Sequence, residues 1–170
     1  MRIREACAAD IKNIAEVYIL NWKETYKGLL PDEYVDHLDL PYGMDKWSSF
    51  LRQTENHIVI AEDGSRFLGF GAFSPDHEID KCLYIDSLHV CPESRGQGTG
   101  SRLINAIKEY AAENSFEKMS ICIVRGNDRA GNLYRKLGAG HYSYFIDDFD
   151  GTKSNSEKLL WKDLKLFTEA

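Results

Sequence analysis

The sequence predicts one α/β domain built on a mixed β-sheet with helices on both faces. Three observations support this class. The chain has 170 residues, 43% hydrophobic and 28% charged, which suits a single domain with a sizeable core. Helical and strand patterns alternate along it, and a glycine-rich turn joins a strand to a helix near its middle. Because no linker, repeat or low-complexity tract interrupts the pattern, residues 1–170 are expected to form one domain.

The chain is expected to begin with a short edge strand over residues 1–6. Asp10 is the predicted N-cap of a first helix that reaches about Tyr26. The apolar residues after Asp10 recur with a helical period. They are Ile11, Ile14, Ala15, Val17, Tyr18 and Trp22.

Two shorter helices are expected next. Pro31 suits the first turn of a helix, since it lacks only an N–H that would have no partner there. The helix that it opens should include Val35 and Leu38. Pro41-Tyr42-Gly43 is predicted to break the chain before a third helix over residues 44–51.

Strands dominate from His57 onward. Residues 58–61 form a buried-strand pattern, residues 63–65 a hairpin turn, and residues 67–73 the partner strand. Gly138 marks the end of the last helix. The other predicted elements are strands over 83–90, 119–124, 141–149 and 158–164, and helices after the glycine turn and over 127–137.

The glycine turn gives the clearest functional signal. It reads Arg95-Gly96-Gln97-Gly98-Thr99-Gly100, and Leu103, Ile104 and Ile107 follow at helical spacing. The first N–H groups of a helix have no intrahelical partner, and the helix dipole adds partial positive charge there. The turn therefore suits an anionic ligand.

Three glycine motifs compete for this turn. A Walker loop needs Lys after its last glycine, whereas Ser101 stands here. A dinucleotide fingerprint needs a different spacing and an acid after the next strand, which instead ends at Val124 and Arg125. The third motif, Arg/Gln-x-x-Gly-x-Gly/Ala, is matched by Arg95, Gly98 and Gly100. A merely structural turn stays as an alternative.

The composition and charge of the chain argue against several kinds of binding partner. The net charge of −6 argues against nucleic acid, since phosphate contacts need clustered Lys and Arg. No apolar run is long enough to span a bilayer, and the N-terminus lacks an apolar signal core, which predicts a cytoplasmic protein with no membrane partner. The cysteines lack metal-ligand spacing, so no metal is expected. They are Cys7, Cys82, Cys91 and Cys122.

The glycine turn resembles the acetyl-CoA-binding motif of the GNAT superfamily of N-acetyltransferases. Residues 127–138, NDRAGNLYRKLG, resemble the family's N-x-x-A-x-x-L-Y-x-x-x-G segment, and the order of elements is similar over nearly the whole chain. The sequence departs from the family at Ala139, where Phe is usual. It also has Cys122 and Ile123 where some subfamilies place a catalytic glutamate.

The resemblance implies the GNAT fold: a mostly antiparallel sheet of six to seven strands, splayed between the strand ending at Val90 and the strand ending near Val124. It also implies acetyl-CoA as co-substrate. Amides of the glycine turn would bind the pyrophosphate, and pantetheine would pair with the strand backbone at the splay. The cofactor-binding residues so predicted are Leu88, His89, Val90, Arg95, Gly96, Gln97, Gly98, Thr99, Gly100, Ser101 and Asn127.

Tyr134 is the predicted general acid. It follows Asn127 by about two helical turns, so both lie on one helix face. A phenol with a pKa of about 10 stays protonated beside a thiolate with a pKa of about 8.5. On periodicity alone a core aromatic that covers the sheet is the favoured interpretation of Tyr134, and the match to the family's segment reverses that preference. Asp86, on the strand before the turn, is the predicted base, and another acid, His89 or a water chain remain open.

The sequence therefore predicts direct acetyl transfer from acetyl-CoA to a primary amine of a small molecule or peptide. No cysteine has an activating partner in the sequence pattern, which favours direct transfer. A non-catalytic acyl-CoA-binding sensor or interaction module, and a nucleotide-binding protein, are the alternatives. The sequence does not distinguish among several acceptors: polyamines, amino acids, aminoglycosides and peptide N-termini. A homodimer is also possible, since many relatives are dimers. The resemblance implies that the N-terminal helices cover the acceptor side, so their aromatic residues are candidates to line it, although for most of them packing of the helices on the sheet is expected. They are Trp22, Tyr26, Tyr34, Tyr42 and Trp47.

Overall fold

A computed structural model describes residues 1–31, 35–149 and 151–167. Its strands are β1 Arg2–Glu5, β2 His57–Asp63, β3 Arg66–Pro75, β4 Cys82–Val90, β5 Lys118–Val124, β6 Gly140–Phe149 and β7 Thr152–Trp161. Its helices, within the described residues, are α1 Ile11–Tyr26, α2 Leu40–Leu51, α3 Thr99–Glu113 and α4 Asp128–Lys136. None of these helices is long and apolar enough to cross a membrane.

The strands form one seven-stranded sheet in the order β1-β2-β3-β4-β5-β7-β6. Only β4 and β5 pair in parallel, and every other neighbouring pair is antiparallel. The β4–β5 ladder runs from the Cys82–Lys118 pair to the Ile85–Ile121 pair and then stops, although both strands continue. The predicted mixed sheet, with its splay between these two strands, is confirmed.

Each face of the sheet has its own core. One contains Leu103, Ile104 and Ile107 of α3, all without solvent exposure, packed with residues of β4 and β5. The other contains Ile14 of α1 and Trp47 of α2, packed on β2 and β3. Full burial of an aliphatic or aromatic side chain of this size contributes about 1.5–3 kcal/mol, so these two layers hold the sheet and its splay in place.

Asp10 stands at the predicted N-cap position of α1, but its side chain makes no capping hydrogen bond to that helix. Its side chain accepts hydrogen bonds from the Cys7 N–H at 2.8 Å and from the Arg4 guanidinium at 2.8 Å. A short 3-10 turn, Ala8–Asp10, precedes α1 and takes Asp10 as its last residue. The hydrogen bonds from Arg4 lower the pKa of the Asp10 carboxyl to about 2. Asp10 thus ties the start of α1 to β1.

The predicted break at residues 41–43 is wrong, because α2 begins at Leu40 and runs through them. The Asp39 carboxylate caps the helix by accepting from the Tyr42 N–H at 2.8 Å, and Pro41 stands in the first turn, where its missing N–H costs nothing. Gly43 faces α1, and a Cβ there would lie 2.9 Å from Ile19 Cδ1. This glycine allows close helix packing rather than a turn.

Two other predicted elements cannot be matched to the structure over their full predicted range. The helix expected after Pro31 falls partly on residues 32–34, which lie outside the described residues. The last strand, expected over 158–164, is β7 Thr152–Trp161, and Leu164 belongs to a short 3-10 turn, Leu164–Leu166. The first half of β7 pairs with β6 in spite of its polar sequence. It lacks the apolar alternation from which a strand is predicted.

Candidate functional site

A cavity of about 630 Å³ opens between the separated ends of β4 and β5. The walls come from these two strands, α1, the glycine turn and α4, with Asp147 of β6 and Ser156 of β7. Among the residues singled out from the sequence, the cavity is lined by Asp86, Leu88, His89, Val90, Arg95, Gly96, Gly98, Thr99, Gly100, Ser101, Asn127 and Tyr134. Gln97 does not line it, since its amide donates to the Glu93 carbonyl at 2.7 Å.

The glycine turn places unpaired backbone donors at one end of this cavity. Gly96 and Gly98 have φ angles of +74° and +79°, which side chains other than glycine rarely adopt. The first helical hydrogen bond of α3 runs from the Arg102 N–H to the Gly98 carbonyl at 3.0 Å. The N–H groups from Thr99 to Ser101 are therefore the free N-terminal donors of α3, a site suited to an anion.

Arg95 is held by α1 and does not extend into open space. Its guanidinium donates to Asn21 Oδ1 at 2.6 Å and to Glu24 Oε1 at 2.8 Å. Asn21 is 6% exposed and also donates to the Val90 carbonyl at 3.0 Å. We call Asn21, Glu24, Arg95 and the Val90 carbonyl the loop clamp, since together they fix the glycine turn to α1.

The sequence analysis missed Asn21 and Glu24. Asn21 has a detectable signal, because it lies three and four residues after Tyr18 and Val17 on the apolar face of α1. A polar side chain on such a face requires hydrogen-bond partners. Glu24 has no such signal, since an exposed glutamate on a helix is common.

The register of β3 and β4 decides which backbone groups face the splay. The Cys91 N–H donates to the Leu68 carbonyl at 2.9 Å, which makes Gly69–Val90 a non-hydrogen-bonded pair. By alternation Gly71–Leu88 is another, so the backbone groups of Leu88 and Val90 point toward β5 and the cavity. Those of His89 point toward β3. Leu88 therefore offers both groups to a ligand, whereas the Val90 carbonyl belongs to the loop clamp.

The His89 side chain is packed among aromatic rings. Its ring lies 5.4 Å from those of both Tyr18 and Phe70. This burial, together with the nearby charges of Lys46 and Arg95, lowers the pKa of His89 to about 3. The ring is therefore neutral at physiological pH and is a weak proton acceptor.

Tyr134 lies on α4 at the wall of the cavity and is 5% exposed. Its ring packs edge-on against Trp161 with 6.1 Å between centroids. Burial, and in second place the neighbouring Tyr26, raise the pKa of Tyr134 above that of a free phenol. The hydroxyl therefore keeps its proton at neutral pH. Both predicted roles of Tyr134, core aromatic and cavity residue, fit this position.

Asn127 and Tyr26 complete the wall near Tyr134. Asn127 caps α4, because its Oδ1 accepts from the Ala130 N–H at 3.3 Å. Burial raises the pKa of Tyr26, and a hydrogen bond with Asn127 partly offsets that rise. Of the aromatic residues expected near the acceptor, Trp22 and Tyr26 line the cavity, Trp47 is fully buried in the core, and Tyr42 is exposed. Tyr34 lies outside the described residues.

The end of the cavity opposite the glycine turn is acidic. Asp86 is the first residue of β4 beyond the β4–β5 ladder, and its carboxylate accepts from the Ser87 hydroxyl at 2.9 Å. Asp147 of β6 lines the same cavity. Burial raises the pKa of Tyr84, and Cys122, Asp86 and Asp147 add to that rise in this order. This end can attract a cation and accept a proton.

The thiol nearest this acidic end is not activated. Burial raises the pKa of Cys122 to about 11, so it is protonated at neutral pH. A thiol in that state is a poor nucleophile. Over the described part of the chain, no group of three or more His, Cys, Asp and Glu side chains is arranged to hold a metal ion.

Known proteins resemble this chain in sequence and in fold. Residues 16–139 match the acetyltransferase (GNAT) family. The chain is 29% identical over 129 residues to the uncharacterized N-acetyltransferase YuaI of Bacillus subtilis, a match that covers 74% of this chain and 72% of YuaI. It is 31% identical over 93 residues to a thialysine N-epsilon-acetyltransferase of Bos taurus, covering 49% of this chain and 55% of that protein. A structure of yncA from Salmonella typhimurium with its cofactor acetyl-CoA has a similar fold, with a TM-score of 0.73, 19% identity, and coverage of 96% and 94% of the two chains.

Proposed function

The chain belongs to the acetyltransferase (GNAT) family, and from this premise we propose that it moves an acetyl group from acetyl-CoA directly to a primary amine of a small molecule or peptide. One observation supports this most. A single cavity joins an anion-binding helix N-terminus to a protonated phenol and an acidic end. An amine acetyltransferase needs those three functions in one place: a held thioester, a proton donor for the thiolate, and a group that takes the amine proton.

The glycine turn holds the cofactor. The N–H groups from Thr99 to Ser101, with those of Gly96 and Gly98, donate to the pyrophosphate of acetyl-CoA. Pantetheine pairs as an added strand with both backbone groups of Leu88 and with the Val90 N–H. In this account Arg95 acts through the loop clamp, since its guanidinium is already bonded to Asn21 and Glu24.

Tyr134 stabilises the departing thiolate. Full proton transfer from an ordinary phenol to a thiolate is uphill by about 2 kcal/mol. The raised pKa of Tyr134 makes that transfer still less favourable. Its contribution is therefore a strong hydrogen bond that forms as negative charge develops on sulfur.

Asp86 accepts the proton of the amine, directly or through water. An alkylamine with a pKa of about 10.4 is mostly protonated at pH 7, and freeing its lone pair costs about 4–5 kcal/mol. Asp86 and Asp147 lie where they attract the protonated amine. His89 is unsuited to this role, because its ring is packed between Tyr18 and Phe70 and this burial lowers its pKa to about 3.

The acceptor class is a small amine. The Bos taurus relative is named for acetylation at N-epsilon of thialysine, and an acidic cavity end suits a cationic amine of that kind.

Release of CoA, followed with a thiol reagent across a broad panel of amines, tests this function. We expect CoA release that requires an amine, and an acetylated amine in equal amount. Binding of acetyl-CoA without release for any amine would contradict the proposal and favour a sensor or interaction module.

A further inference from the structure

We propose that a second, cationic cavity beside the acidic end binds a carboxylate of the acceptor, so that the acceptor is an amino acid or peptide with a free carboxylate. This inference rests on the proposed function. The cationic cavity has a volume of about 440 Å³. It is lined by Leu29, Arg125, Gly126, Lys153, Ser154 and Asn155.

The cationic cavity adjoins the acceptor end of the main cavity, since neighbouring residues line the two. Three segments contribute to both. Asp147 lines the main cavity, and its cross-strand partner Ser154 lines the cationic one. In the second segment, Asn127 lines the main cavity and its sequence neighbour Gly126 lines the cationic one.

The third segment follows α1. Tyr26 lines the main cavity, and its carbonyl accepts from the N–H of Leu29, which lines the cationic cavity, at 2.9 Å. In this proposal, a molecule whose amine lies at Asp86 extends past Asp147 and Tyr26 into the cationic cavity. The glycine turn, where the cofactor phosphates bind, lies at the opposite end of the main cavity, so an anion in the cationic cavity belongs to the acceptor.

Within the described part of the chain, the two cationic side chains of this cavity have no ion-pair partner. Among the described residues no carboxylate lies within 4.0 Å of Arg125 or Lys153, although the chain has a net charge of −6. Asp148, the cross-strand partner of Lys153, uses its carboxylate to accept from the Gly151 N–H at 2.6 Å. Two cations therefore line one polar cavity, and residues 1–31, 35–149 and 151–167 supply neither with a carboxylate partner.

The Arg125 side chain is also ordered without a ligand. The backbone N–H of Arg125 donates to the Asn155 carbonyl at 2.8 Å, and the guanidinium lies 5.0 Å from the centre of the Tyr144 ring. Stacking of this kind orders the side chain and leaves the guanidinium N–H groups available. A planar guanidinium pairs with a carboxylate through two parallel hydrogen bonds.

Matched pairs of amines test the inference. Each pair has the same amine with and without a carboxylate: lysine and 1,5-diaminopentane, ornithine and 1,4-diaminobutane, and dipeptides with their C-terminal amides. We expect the wild type to prefer the carboxylate-bearing member. Arg125→Gln and Lys153→Gln should each raise KM for that member by about 10- to 100-fold, as expected for loss of one charged hydrogen-bond partner, with kcat and the KM of the other member unchanged. Arg66→Gln, at an exposed arginine of the β2–β3 hairpin, is the matched control and should change neither.

The outcomes separate this inference from the proposed function. Equal rates for both members of every pair, or variants that affect both members equally, would overturn the carboxylate site and leave amine acetylation standing. A rise in KM for acetyl-CoA in the variants would place a cofactor phosphate in the cationic cavity and would also overturn it. Absence of CoA release with every amine would refute the proposed function and this inference together.

Discussion

At the residue scale, the proposed chemistry depends on side chains whose protonation is set by burial. Tyr134 keeps its proton because its hydroxyl lies in a nearly closed wall of the cavity. His89 stays neutral because its ring is packed between Tyr18 and Phe70. In the proposed mechanism, these two environments leave the Tyr134 phenol as the proton donor and the carboxylate of Asp86 as the acceptor.

Tyr134→Phe should lower kcat by about 10²- to 10⁴-fold, the usual contribution of a positioned acid, and leave the Kd for acetyl-CoA within about twofold. The variant keeps the packing against Trp161 and removes only the hydroxyl. Steady-state kinetics and calorimetric titration measure the two effects. Tyr142→Phe, at an exposed tyrosine of β6, is the control. Unchanged turnover in Tyr134→Phe would make Tyr134 a core residue only.

Asp86→Asn should remove or displace the acidic limb of the pH–rate profile, because the amide cannot accept the amine proton. Rates of CoA release from pH 5 to pH 10 measure this limb for the wild type, Asp86→Asn and Asp147→Asn. Asp147→Asn should mainly raise KM for the amine, since Asp147 is proposed to attract it. An identical acidic limb in the wild type and Asp86→Asn excludes Asp86 as the base.

At the element scale, the separation of β4 and β5 creates the site. The loop clamp joins α1 to the glycine turn across that separation. Its buried member, Asn21, satisfies both the Val90 carbonyl and the Arg95 guanidinium, whereas Glu24 holds Arg95 from solvent. The position of α1 and the geometry of the cofactor loop are therefore linked.

Asn21→Ala should raise KM for acetyl-CoA and lower the free energy of unfolding by about 1–3 kcal/mol, since it leaves buried polar groups without partners. Glu24→Gln is the matched comparison, because its salt bridge is half-exposed and should contribute less than about 1 kcal/mol. Urea unfolding and initial rates measure both variants. If Asn21→Ala and Glu24→Gln changed the KM for acetyl-CoA and the free energy of unfolding equally, the buried Asn21 would have no larger role than the exposed Glu24.

The elements also show how far the sequence determines the site. The glycine turn and residues 127–138 were predictable, because positive φ at Gly98 and the cap at Asn127 demand particular residues. The start of α2 was not, since Gly43 there serves helix packing, which is a tertiary effect. The cationic cavity was also beyond prediction. Arg125 and Lys153 are distant in sequence, and the polar half of β7 that brings them together has no strand pattern.

At the scale of the whole molecule, the fold is fastened at its N-terminal edge by Arg4 and Asp10. Arg4 bridges the Asp10 carboxylate at 2.8 Å and the Glu62 carboxylate at 2.9 Å, which joins β1, the start of α1 and β2. The folded pKa of Asp10, about 2, lies below the unfolded value of about 3.9. The stability that this shift contributes is therefore complete above about pH 4 and is lost as the pH falls through about 2.

Asp10→Asn should lower the free energy of unfolding by about 2 kcal/mol at pH 7, and the difference from the wild type should shrink between pH 4 and pH 2. Chemical unfolding at several pH values measures it. Asp128→Asn, at an exposed position of α4, is the control. A difference that stays constant down to pH 2 would assign the effect to packing rather than to charge.

A single-turnover experiment with labelled acetyl-CoA tests direct transfer in this cavity most directly. Enzyme in excess is mixed with acetyl-CoA and an amine accepted in the panel, quenched at short times, and analysed for label on protein and on amine. We predict that label passes from acetyl-CoA to the amine in step with CoA release, with no acetylated protein at any time, and that Tyr134→Phe slows this single step. Acetyl groups that appear on a cysteine before they reach the amine would contradict the account.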